Sequence, residues 1–156
     1  MTTMPTKKST RRVRSGALLL GVGLGAFVDG IVLQQILGWH NMLSARIPPD
    51  TIERARTSMT GDGWFHAFAW IVTAIGVFRL YTAARAPIQF PPIRWFVGML
   101  LIGCGVFNTI EGTVDHLLLD LHHVRDVPVY IPEWDWGFLL VAGIGFIIIG
   151  AVLARD

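Results

Sequence analysis

The chain has 156 residues, of which 53% are hydrophobic and only 15% charged, and its mean hydropathy is +0.54. Soluble domains carry about 25% charged residues, so the composition excludes an ordinary soluble globule, a disordered chain and a coiled coil. A single cysteine, Cys104, excludes an intrachain disulfide framework and a cysteine-rich zinc module, and a net charge of +2 leaves no footprint for nucleic acid.

A hydrocarbon core of about 30 Å needs about 20 apolar residues, and four segments come close to that length. A basic tail, residues 1–15, carries Lys7, Lys8, Arg11, Arg12 and Arg14. Span one, residues 17–39, is apolar except for Asp29, Gln34 and Gln35, which sit badly in the core of a cleaved signal peptide. Its Gly21, Gly23 and Gly25 suit close helix packing. Pro48 and Pro49 break the chain after it, and Thr51 to Met59 reads as a short interfacial helix. Span two, residues 64–81, has His66 near its start and Arg79 near its end. Pro87, Pro91 and Pro92 then predict a short, stiff turn. Span three, residues 95–119, is apolar to Phe107 and continues through Asn108, Glu111, Asp115 and His116. Span four, residues 136–153, has no ionisable group and should pack as apolar scaffold. The expected fold is all-α: a four-helix transmembrane domain over residues 16–154, with no internal repeat visible in the sequence.

Lysine and arginine set the orientation. The tail and the connection holding Arg79, Arg85 and Arg94 are basic without acids. The first connection offsets Arg46, Arg54 and Arg56 with Asp50, Glu53 and Asp62. The last sets Arg125 against Asp120, Asp126, Glu133 and Asp135. Both termini are therefore expected in the cytoplasm. Trp39, Trp64, Trp134 and Trp136 then mark outer borders and Trp95 an inner one. All five histidines, His40, His66, His116, His122 and His123, arrive at the outer face from three spans.

An α-helix turns about 100° per residue. Asn108, Glu111, Asp115 and His122 then form one stripe, with His116 and His123 on the next. Asp62 lies four residues before His66. Asp29 lies eleven residues before His40, as Glu111 does before His122. On a continuous helix each carboxylate sits about 16 Å below its histidine. A carboxylate facing lipid at that depth costs several kcal/mol, so Asp29 and Glu111 should face the bundle interior with a partner. No lysine or arginine lies at that level. The partners left are a metal ion, a shared proton, hydrogen bonds from Asn108, Gln34 or Gln35, and the histidines. Imidazoles and carboxylates without a thiolate suit zinc, iron, manganese or nickel better than Cu(I). The expected ligands are His40, His66, Glu111, Asp115, His116 and His122, supported by Asp29, Asp62, Asn108 and His123. Glu111 and Asp115 are the candidate bases toward a metal-activated water.

The stretches Phe27 to His40, Asp62 to Ala67, Phe107 to His116 and Leu121 to Arg125 resemble the bacterial membrane proteins catalogued as domain of unknown function 2243. The resemblance covers about residues 15–153. It implies a four-helix protein of the inner membrane and brings no established activity. Members resemble Leu-His-Gln, Trp-His-His and Asp-His-His at places where this chain has Gln34, Asn41 and Leu117. If the family carries two metals, this chain keeps one, or a weakened second site. Three function classes stay open. One is a membrane metalloprotein or metal-dependent enzyme, with zinc or iron as first candidates. Another is a proton- or ion-conducting or transport module that uses Asp29 and Glu111. The last is a non-covalent haem or redox protein, or a partner in respiratory assembly. The lipid bilayer is the expected partner, with a homo-oligomer or a respiratory-chain protein as further candidates.

Overall fold

The computed structural model describes residues 7–85 and 90–155. The first six residues of the basic tail and Pro87 lie outside the described residues. Among the described residues, four helical spans are long and apolar enough to cross a membrane: Thr10–Ile36, Ile52–Ala84, Ile93–Leu118 and Pro132–Leu153. Thr51 caps the second by accepting the Arg54 amide hydrogen, so the expected interfacial helix is the first part of a continuous one. Span four also starts earlier than expected, with Pro132 in its first turn, and thereby includes Asp135.

Spans one and three form the centre. Span two packs on span one and span four on span three. Lipid tails are as apolar as leucine, so helices in a bilayer associate through close packing and polar contacts. The central pair does so backbone to backbone. A methyl group on Gly21 would lie 2.1 Å from the Leu100 carbonyl oxygen, and one on Gly103 would lie 2.1 Å from that of Leu18. Only glycine permits this approach. Asn108 donates to the Ala142 carbonyl at 2.9 Å and so ties span four to span three. It serves this interface and does not contact the acidic groups of its predicted stripe.

Three spans widen into π-helical turns at Asp29–Ile36, Gly112–Leu118 and Phe138–Gly145. Here hydrogen bonds run between residues five apart. The ends of spans one and three continue the pattern: Leu37 donates to Val32, and Leu119 to Val114. Gly38 and Asp120, with φ of 59° and 53°, then turn the chain. The loops behind them run back among the helix ends, where His40, Ser44, His122 and Val124 are buried. Irregular backbone at such depth needs protein partners, and the two loops supply them to each other. Asp126 and Val127 donate to the Trp39 carbonyl at 2.8 and 2.9 Å, and Ala45 donates to Leu121 at 3.0 Å. Arg46 closes the join on the Leu119 carbonyl at 2.7 Å, and Trp39 packs on Trp134 with ring centroids 5.1 Å apart.

The two loops repeat one another, and the 82-residue shift that relates them is present in the sequence, where it was not expected. Ser44 and Asp126, 82 residues apart, are hydrogen-bonded partners. The same shift carries Gly21 onto Gly103, Asp29 onto Glu111, Gly30 onto Gly112, Gly38 onto Asp120 and His40 onto His122. Backbone bonds repeat with it: Trp39 to Leu33 matches Leu121 to Asp115. A carboxylate from each flanking span holds the matching loop positions. Asp62 accepts from the Met42 amide and from Asn41, while Asp135 accepts from the Val124 amide and faces His123. The protein is thus a pair of two-helix units facing each other across the Gly21–Gly103 contact.

Candidate metal centre

The depth expected from a continuous helix does not hold. The histidines do not stand about 16 Å above their carboxylates. The loops return them to contact, with His40 Nε2 at 3.6 Å from Asp29 and His122 Nε2 at 3.0 Å from Glu111. The π-turn changes the partner of Glu111 as well. In an α-helix residue i+4 stacks over residue i, so Asp115 was the expected neighbour. The wider turn brings residue i+5 over instead, and His116 Nε2 lies 2.8 Å from Glu111 Oε1. Asp29 and Gln34, also five apart, meet in the same way through a 3.1 Å hydrogen bond from the Gln34 amide.

Two groups of metal-ligating atoms result, Asp29–His40–His122 and Glu111–His116–His122, each with its ligand atoms within 4.8 Å of one another. All five residues are buried. The His40 and His122 rings stack at 4.5 Å between the halves, and His116 meets His122 edge-on at 4.8 Å. His40 donates from Nδ1 to the Val124 carbonyl at 3.0 Å, which leaves Nε2 facing Asp29. Such an outer hydrogen bond fixes a ligand imidazole. Burial opposes a charge on His40, but Asp29 and the Val124 carbonyl outweigh it and hold the imidazole above its ordinary pKa.

The other expected residues fall around these groups. His66 belongs to neither. Its Nδ1 donates to the Asp62 carbonyl at 2.8 Å, and its ring lies against Gly30, where a methyl group would come within 2.4 Å of Nε2. Asp62 holds the first loop. His123 is part of the rim, with Nε2 at 3.0 Å from Asp120, Nδ1 at 3.1 Å from Asp135, and its ring stacked on Tyr130 at 4.0 Å. Asp115 is half-buried and stands outside both groups. It lines an apolar groove of about 600 Å³ between spans one, two and three, whose wall also includes Phe65, Phe107 and Glu111.

Asp135 is the residue the sequence reading passed over. In the sequence it is one of the acids of the last connection, yet it is buried and lies 3.3 Å from His116 Nδ1. Span four therefore gives the cluster a carboxylate and is more than apolar scaffold. The one signal in the sequence is an acid between two border tryptophans, Trp134 and Trp136.

Several atoms at the centre have no hydrogen-bond partner, among them Asp29 Oδ1, Glu111 Oε2, His40 Nε2 and His122 Nδ1. Buried polar atoms are rarely left so, and cation binding would satisfy some of them. Glu111 Oε1 lies closer to each of two Nε2 atoms than twice a Zn–N bond of about 2.0–2.1 Å, so each of these pairs is within the span of a single ion.

The chain belongs to the family described as predicted membrane protein (DUF2243), which matches residues 16–156. No curated protein and no solved structure matches it.

Proposed function

We propose that this DUF2243 member is a membrane metalloprotein whose ion, zinc or iron, is held by Glu111, His116 and His122, with Asp29 and His40 beside them. The observation that carries the reading is Glu111 Oε1 placed between two buried imidazole nitrogens at 2.8 and 3.0 Å. Orphaned nitrogens and oxygens around it support a cation, and the absence of thiolate from the donor set favours zinc or iron over Cu(I). Asp135 and the Val124 carbonyl orient His116 and His40 from outside the ligand set. The lysine and arginine asymmetry orients the loop-bearing end outward in an inner membrane.

The same geometry supports a metal-dependent enzyme. An ion of this kind supplies an activated water and Lewis acidity. Asp115 on the groove wall is the candidate base. The groove has the volume of a small-molecule site, which is about 300–1,000 Å³. It opens within the spans, past the exposed Trp64, Phe68 and Ile110, so its substrates are apolar or amphiphilic.

Elemental analysis of detergent-purified protein, with its visible spectrum, tests the reading. Bound zinc or iron that is lost in His116→Ala is the expected result. A Soret band would replace the reading with a haem protein. Neither metal nor colour, together with acid-dependent ion flux in vesicles, would replace it with a conducting module.

A further inference from the structure

The two-helix units carry equivalent frameworks but not equivalent ligands. In the second unit, Glu111, His116 and His122 occupy the positions that Asp29, Gln34 and His40 hold in the first. The match extends to contacts: His116 reaches Glu111 across five residues, and Gln34 reaches Asp29 across five residues. The first unit thus has a carboxylate, an imidazole and a preformed π-turn. Its third position holds an amide in place of an imidazole. The Gln34 amide group must direct N–H toward the Asp29 carboxylate, since its oxygen would be repelled there. An N–H cannot ligate a cation. Gln34 Oε1 is buried and makes no hydrogen bond to the protein.

We infer that the protein has two metal sites related by internal duplication, one complete in the second unit and one in the first that lacks a single ligand at Gln34. The inference rests on the metal reading above. Asp29 and His40 reach a third donor only by sharing His122, whose Nε2 already faces Glu111. One ion therefore takes His122 into the second unit and leaves the first incomplete. Replacing Gln34 with histidine supplies the imidazole that His116 supplies in the other unit. The backbone there already has the wide turn that lets residue 34 stand over residue 29.

The experiment is zinc stoichiometry by elemental analysis, on detergent-purified full-length protein loaded with Zn(II) alone and washed with a weak chelator. Wild type should retain about one zinc per chain, Gln34→His about two, and His116→Gln fewer than about one tenth. The double variant Gln34→His/His116→Gln should recover about one, its site moved to the other unit. Wild type that retains two zincs overturns the inference, and so does a Gln34→His protein that gains none. A double variant that stays empty overturns it as well. The last two results leave the single-metal reading intact, whereas wild type that retains no zinc overturns that reading first. If Gln34→His does not fold, wild type that retains two zincs, or His116→Gln that still retains one, overturns the inference.

Discussion

Glu111 is the residue on which the centre turns. One of its oxygens faces two imidazoles, and the other is buried without a partner. Removing a hydrogen-bonding partner inside a bilayer leaves the remaining groups unpaired, typically at about 1–3 kcal/mol each. Glu111→Leu should therefore release the metal and also lower the unfolding midpoint in detergent. Full metal retention in that variant would contradict its role. His66 differs in kind. It packs against Gly30 and lies outside both groups, so His66→Ala should keep the metal of wild type by elemental analysis. Gly30→Ala should be the more damaging change, because its methyl would meet the His66 ring. Overpacking of this type costs about 1–3 kcal/mol. A cycle with His66→Ala, read by thermal unfolding, should recover much of that loss, since the two sites couple directly.

The elements explain which parts of the centre could be read from sequence. Four spans were legible because apolar length and scarce charge are enough to define a bilayer crossing. The identity of most buried polar residues was legible too, since a carboxylate in such a span must face the protein. The pairing was not. A period of 3.6 residues joins Glu111 to Asp115, whereas the π-turn joins it to His116, and no hydrophobic pattern announces a turn of that width. A glycine stands at or next to the start of each wide turn, at Gly30, Gly112 and Gly137, and that was the available hint. The loops hid the rest. Helical arithmetic cannot foresee that Gly38 and Asp120 reverse the chain and return His40 and His122 to their carboxylates. The backbone contact of Gly21 with Gly103 is the matching prediction at this scale. Gly21→Leu should part spans one and three, with lower stability and metal content than Leu20→Ala prepared in parallel.

As a whole molecule the protein is two hairpins brought together at a shared polar end inside an apolar shell. The duplication is legible in the sequence once the 82-residue shift is applied, with Gly21 on Gly103, Gly30 on Gly112 and His40 on His122, although the apolar background of the spans masks it and the acids differ in type at 29 and 111. The proposed orientation rests on charge alone, and cysteine labelling of intact cells in a Cys104→Ser background tests it. Thr51→Cys should react with an impermeant reagent, and Arg155→Cys should not. The opposite pattern would place the centre at the cytoplasmic face. The central claim concerns what the buried donors hold, and X-ray absorption at the metal edge of the purified wild type addresses it most directly. The account predicts a shell of nitrogen and oxygen at about 2.0–2.2 Å with imidazole scattering and no sulfur. A sulfur shell near 2.3 Å, or an oxygen shell without imidazole, would contradict it.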